Sequence, residues 1–455
     1  MTLRFALVAM TFLGMVAGVG AQTSMGAAQP TGSGDRPPAW LVPTADLDKR
    51  LPAWIRFDGE YRSRVERFGG IGYKPVSDNH DLSRLRVKMT IQPAAWLRLV
   101  GEAQDVRVFF NHNIASIPPY QNTWDIRQAY VQVGSSTSGW IDVLAGRQNL
   151  VFGEERVIGP SDWSNMGRTF DLVRMDLHPA WFRLSLFASS VIVARDGVID
   201  HHIEGNNLHA AYGSTSRLIP HATVEPYVLW RVAPAKVKLS ENAGRGALSE
   251  FTVGARVDGK APGALEYDVE MDRQFGTLGP DTIDSWAGHW NVARPLAVRG
   301  KLRPFLEANY ASGTKNPTST TWNTFDQIYP SGHNKMGFAD LVGRRNIEEG
   351  RAGISENAGR KWKFTEAYQD YWLASARDAL YTASGAPVAQ SINGTAGRHV
   401  GQEVDGWAEW NWREALDAGF GYSRMLTGGF LNRTTQGKDY SYAFVWVTYR
   451  FTQGQ

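Results

Sequence analysis

Arginine is the residue type in this sequence best placed to do chemistry. Arg62, Arg64, Arg84, Arg86, Lys88 and Arg98 recur on alternate positions early in the chain, and Arg147, Arg156, Arg168 and Arg174 follow. A guanidinium is planar, permanently charged and able to grip a carboxylate with two parallel hydrogen bonds. Gathered around a narrow passage, such groups favour anions. The plainer alternative is that each pairs with an acid on a neighbouring strand and stiffens a wall. Glu60, Glu102 and Asp105 are near in sequence, whereas the acidic run Glu266, Asp268, Glu270 and Asp272 lies much farther along. Glu154, Glu155, Arg156 and Asp162 share one loop, which either folds inward as a constriction or stays solvated.

Other chemistries have less behind them. The chain carries no G-x-S-x-G elbow, no H-E-x-x-H and no Walker glycine loop. Ser185 and His209 are the nearest pair for a barrel hydrolase acting on lipid or glycan, and they lack a local signature. His333 has no partner at metal-ligand spacing and reads as structural or incidental. The expectation is therefore no enzyme, no catalytic residue, no metal and no cofactor. No basic module interleaved with aromatics suggests nucleic-acid binding.

The elements that position the arginines alternate with period two, which sends successive side chains to opposite faces of a sheet. Ile55, Phe57, Gly59 and Tyr61 oppose Arg56, Asp58, Glu60, Arg62 and Arg64, and Leu85, Val87, Met89 and Ile91 oppose Arg84, Arg86, Lys88 and Thr90. Around the segment 140–178, Val173, Met175 and Leu177 oppose Arg174, Asp176 and His178. Charges this dense on one face cannot make a dry core, because each unpaired buried charge costs several kcal/mol. A wet lumen inside and lipid outside accommodate both faces.

Outside the N-terminus, no apolar run approaches the length of a transmembrane helix. Residues 1–21 read as a signal peptide, with Arg4 before an apolar stretch and small residues ahead of Gln22. Residues 22–51, rich in Pro, Gly and Ser, read as a flexible periplasmic segment, and 52–455 as the barrel. Zero Cys excludes a disulfide framework and a lipid-anchored lipoprotein, and 17 Trp suggest aromatic girdles at two membrane interfaces. Net charge is only +3, so the distribution of charge carries more meaning than its sum.

Connections alternate between short (92–95, 134–139, 178–180, 213–220, 259–263, 294–300, 355–361, 411–415) and long (68–81, 108–123, 150–167, 191–205, 232–247, 275–285, 313–345, 375–401, 425–439). Short periplasmic turns and long extracellular loops characterise outer-membrane barrels. The count is about eighteen antiparallel strands of roughly ten to twelve residues. Ala443, Val445, Val447, Tyr449 and Phe451 share one face of a final strand, the kind that barrel-assembly machinery reads. A closed sheet of this size leaves an aqueous passage.

GRQNLVFGEERVIGPSDWSNMGRTFDLVRM, TWNTFDQIYPSGHNKMGFADLVGRRNI and HVGQEVDGWAEWNW, with LPAWIRFDGEYRSR ahead of them, resemble the alginate export family of outer-membrane porins. The resemblance implies a monomeric eighteen-stranded barrel in the outer membrane of a Gram-negative bacterium, with an arginine-lined constriction for an anionic polyuronate. It matches Arg64, Arg86, Arg147, Arg168 and Arg174 to the basic lining, with Asp171 as a partnering acid. The functional expectation is passive export of an alginate-like polysaccharide, with a periplasmic scaffold delivering polymer. A porin for uptake of small anionic solutes is the alternative, and the barrel hydrolase is a second.

Overall fold

The computed structural model describes residues 50–135, 139–234, 246–298, 302–359, 361–412 and 415–451. The expected signal peptide and nearly all of the N-terminal segment lie outside these residues, as does the tail after Phe451. Eighteen strands form the wall: β1 (Ile55–Gly69), β2 (Ser77–Ala94), β3 (Leu97–Phe109), β4 (Asn122–Gly134), β5 (Ile141–Gln148), β6 (Phe170–Leu177), β7 (Arg183–Val193), β8 (His201–Ser214), β9 (Ala222–Ala233), β10 (Leu248–Ala261), β11 (Leu265–Leu278), β12 (Asp281–Ala293), β13 (Arg303–Ala311), β14 (Ile347–Ala358), β15 (Trp362–Leu373), β16 (His399–Trp412), β17 (Leu416–Thr427) and β18 (Tyr440–Arg450). Each pairs antiparallel with its sequence neighbours, and β1 closes on β18 with Glu60 opposite Arg450 and Gly69 opposite Ser441. Closure leaves no free edge, so the wall satisfies its backbone hydrogen bonds within lipid.

Alternation assigns the two faces as expected. Tyr61, Val65, Val87, Met89, Leu99, Val173, Val445 and Val447 are exposed on the outside, while Arg62, Arg64, Arg84, Arg86, Glu270 and Asp272 are buried inside. Trp54, Trp96, Trp140 and Trp181 are exposed at the short-turn end of the wall, and Phe110 and Trp124 at the other. Amphipathic rings at these two levels suit the headgroup zones. Asp105 departs from the expected pairing: it binds Arg107 on the outer face, because its neighbours Gln104 and Val106 take the inward positions.

One connection differs from expectation. The stretch 275–285, read as a long loop, is a tight hairpin in which Leu278 pairs with Asp281 and only Gly279 and Pro280 intervene. Gly279 has φ +59°, the left-handed conformation that short hairpins need and that glycine adopts without strain.

Three long connections enter the lumen. Residues 149–169 join β5 to β6, residues 312–346 join β13 to β14, and residues 374–398 join β15 to β16. Phe170, Leu172, Phe187, Leu208, Tyr227 and Leu229 form an apolar lumenal patch, against which Leu150, Val157, Ile158 and Tyr329 of the first two loops pack. Burying each such side chain contributes about 1.5–3 kcal/mol, enough to hold the loops inside rather than in solvent.

Candidate functional site

Two walls of opposite polarity hold these loops. On β1 and β2, Arg62 donates to the carbonyl oxygens of Asp162, Trp163 and Ser164 at 3.0–3.1 Å. Arg64 donates to Trp163 O at 2.6 Å and Arg84 to Asp162 O at 2.8 Å. On β16, the polarity reverses: Glu403 and Asp405 accept from the backbone N–H groups of Ala339 and Phe338, each at 3.0 Å. Cationic side chains thus take carbonyls from one loop, and carboxylates take amides from the other.

The loops join in mid-lumen. Gly159 N donates to Tyr329 O at 2.9 Å and Tyr329 N to Val157 O at 3.0 Å, a single parallel bridge between Ile158 and Tyr329, and Ser331 N donates to Glu155 O at 2.9 Å beside it. Arg168 ties the same seam by donating to Gly159 O and Pro330 O at 3.2 and 2.9 Å. Trp163 lies between the Arg64 guanidinium, 4.2 Å from its ring centroid, and the His333 ring. His333 is therefore part of the junction, and its Nδ1 is 2.8 Å from Asp340.

The Asp162 carboxylate is the charged centre of the basic wall. Its Oδ1 accepts from Arg86 at 2.7 Å and from Arg127 at 3.3 Å, and its Oδ2 lies 3.5 Å from Arg84. Burial alone would raise the Asp162 carboxyl, but Arg86, Arg84, Arg127 and Arg62 outweigh it and hold the group well below the ordinary carboxylate range. The wall supplies two acids of its own, Glu60 against Arg84 and Arg86, and Glu102 against Arg127. Four guanidiniums, those of Arg62, Arg84, Arg86 and Arg127, therefore face two wall carboxylates, and Asp162 supplies a third.

Arg156 occupies a second interior position. It binds Glu154 and Glu307 at 2.8 Å each and approaches Asn309 at 3.4 Å. Burial tends to raise the Glu154 carboxyl, yet Lys335, Arg156, His289 and Arg256 hold it well below its usual range. Glu155 goes the other way: burial raises its carboxyl, and the neighbouring Asp162 and Glu154 add to this, despite a hydrogen bond from Ser331 and the nearby Lys335.

The sequence-expected lining residues divide into groups. Arg62, Arg64, Arg84 and Arg86 converge on Asp162 to Ser164. Lys88 pairs with Asp58 at 2.8 Å, and Arg98 is half-buried near the short turn. Arg174 points inward, bound to Asp176 at 2.7 Å and Ser185 at 3.2 Å, while Arg156 and Arg168 belong to the infolded loop itself.

Arg147 and Asp171 depart from the lining. They are register partners joined at 2.9 Å on the outward face shared with Val143 and Val173, near the long-loop rim. Period-two geometry requires this, since Asp142 and Gln148 take the inward positions on β5 and Phe170 and Leu172 on β6. Arg127 was missed. The alternation of exposed Trp124 and Ile126 with buried Asp125 and Arg127 marks it as inward.

The hydrolase pair is split by the sheet. Ser185 faces the lumen beside Asp176, whereas His209 lies on the outer face, its ring centroid 5.0 Å from that of Trp230. Among the described residues no group of three or more His, Cys, Asp or Glu is arranged to hold a metal.

Comparison with known proteins agrees with this architecture. The outer membrane protein opdK from Pseudomonas aeruginosa superposes with TM-score 0.59 at 10% identity, over 87% of this chain and 98% of that one. Pseudomonas aeruginosa OpdQ gives 0.58 at 11% identity, over 87% and 97%. OccK10 (OpdN) of the same organism gives 0.57 at 10%, over 87% and 98%. At identities this low, the superpositions show a shared barrel fold. No curated protein sequence matches the chain significantly. The alginate export profile matches residues 53–445, nearly the whole described barrel, and the chain therefore belongs to the alginate export family.

Proposed function

We propose that this outer-membrane channel passes anionic carbohydrate, with export of an alginate-like polyuronate as the favoured cargo. The observation that carries this reading is the convergence of Arg62, Arg84, Arg86 and Arg127 on the Asp162 residue. A wall that binds one carboxylate with several guanidiniums suits solutes that carry carboxylates. Arg98 and the paired cations Lys88 and Arg174 supply further donors along the inner face, and carboxylates move between sites by diffusion down their gradient. Family membership supports the cargo class. The protein works without a cofactor, as a monomer in outer-membrane lipid of a Gram-negative bacterium. Barrel-assembly machinery inserts it, and a periplasmic scaffold delivers polymer.

A second reading, uptake of small anionic solutes, draws on the depth to which two loops fill the lumen. Reversal potential across a planar bilayer under a salt gradient tests both: anion preference is expected, lowered in Arg84→Ala and Arg86→Ala. Cation preference in the wild type overturns both. Block of the current by added polyuronate separates polymer from small-solute passage.

A further inference from the structure

We infer that Arg84, Arg86 and Arg127 form a carboxylate-binding site for the transported solute, and that Asp162 is its built-in occupant, which a uronate carboxylate must displace. The inference rests on the anion-channel reading above and specifies where in the lumen the cargo binds and what it competes with.

Three observations lead there. Arg84, Arg86 and Arg127 are almost fully buried, with side-chain exposures of 2%, 5% and 5%, whereas Asp162 keeps 40% of its side chain open to the lumen. The receptor is thus shielded and pre-organised, and its occupant sits at the wet edge. Second, with Arg62 beside them, the wall arginines outnumber the wall acids Glu60 and Glu102 by two once Asp162 withdraws. An uncompensated buried charge costs several kcal/mol, so the vacated site demands an anion. Third, the Arg86 side chain is held on both flanks, its Nε donating to Gln104 Oε1 at 2.8 Å and its Nη2 to Met166 O at 3.2 Å, so that Nη1, which now binds Asp162 at 2.7 Å, is the atom that meets a visiting oxygen.

Tethering decides what kind of ligand can compete. A carboxylate tethered beside its site competes at an effective concentration of about millimolar. A solute bearing one carboxylate must reach that range to enter, whereas a chain of uronate units brings many carboxylates to one site. The self-occupied site therefore binds weakly enough to release and still prefers acidic sugars over neutral ones. The apparent affinity for a free carboxylate is the intrinsic affinity scaled by the fraction of time Asp162 is away.

The test uses the full-length barrel in planar bilayers, with glucuronate and glucose as probes at matched ionic strength. Asp162→Asn is expected to lower the glucuronate concentration that half-blocks the current by about tenfold. Asp162→Glu, which keeps the carboxylate, stays within about twofold of wild type. Glucose block is unchanged in both. A glucuronate response that does not tighten in Asp162→Asn, or tightens only as much as chloride permeability rises, overturns the proposal. Wild-type reversal potential is read in the same experiment, so a cation-selective channel is recognised as failure of the parent reading. Should Asp162→Asn not assemble, Ser161→Cys in the otherwise cysteine-free chain reports on the same motion. Glucuronate, and not glucose, is expected to accelerate its labelling by a membrane-impermeant thiol reagent several-fold, and equal rates overturn the proposal.

Discussion

Trp163 lies flat against His333, with ring centroids 4.1 Å apart and planes within 4° of parallel. The contact joins two loops more than a hundred residues apart in sequence, and the Arg64 guanidinium covers the other face of the indole at 4.2 Å. Phe338, Phe444 and Trp446 meet its edge. Stacking and cation–π attraction together contribute about 1–3 kcal/mol in such settings. Trp163→Ala should therefore loosen the seam without unfolding the wall. Single-channel records should show larger and noisier openings, while heat-modifiable migration stays that of a folded barrel.

The acidic wall offers an independent handle. Gly337 has φ +89°, and a Cβ there would collide with the Tyr371 hydroxyl and lie 2.7 Å from a Glu403 oxygen. Gly337→Ala should push residues 338–339 off Glu403 and Asp405 at a cost of about 1 kcal/mol or more. Limited proteolysis within 312–346 is expected to accelerate. Gly350→Ala, whose added Cβ meets nothing within 4 Å, serves as the control and should leave the cleavage rate unchanged.

A pH dependence follows from Asp200, which precedes β8. Burial pushes its carboxyl up to about 6; hydrogen bonds from Arg195 N and Asn122 oppose this, and the nearby Asp125 adds to it. Its unfolded value is about 3.9, so between the two values the native state holds more protons than the unfolded one. Stability should fall as pH rises from about 4 to about 6 and level off above. Asp200→Asn should flatten that slope, as measured by the heat-denaturation midpoint in detergent across this range.

The outer-rim pair makes a contrasting prediction. Arg147 and Asp171 face away from the lumen, so Arg147→Ala should leave ion selectivity unchanged while weakening the rim, where Arg147 also donates to Asp200 O at 2.7 Å. A selectivity shift as large as that of Arg86→Ala would place Arg147 in the permeation path after all.

How legible these features were follows from how local they are. Strand faces depend on parity alone, so Val87 against Arg86, or Val173 against Arg174, could be read directly. The same rule places Asp171 outward, and only carrying it over by family resemblance put it in the lining; Arg127 escapes the rule, because a bulge in β4 between Ile126 and Gln128 turns it inward although Ala129 and Val133 of the same parity face out. The interior loops obey no period. Asp162 meets Arg84 across 78 residues and Trp163 meets Arg62 across 101. No alternation or motif encodes such a meeting, because it depends on the shape of a lumen that exists only once the wall has closed. The tight turn at Gly279–Pro280 was hidden for another reason: polar residues on both sides of it look like loop yet belong to paired strands.

The grip on the infolded loops runs largely through peptide atoms: carbonyls of 162–164 on arginine, and amides of 338–339 on carboxylate. Every amino acid except proline brings both of those groups. Many loop side chains can accordingly be exchanged while the scaffold inside the tube keeps its seat, so that one wall can be re-lettered without being rebuilt.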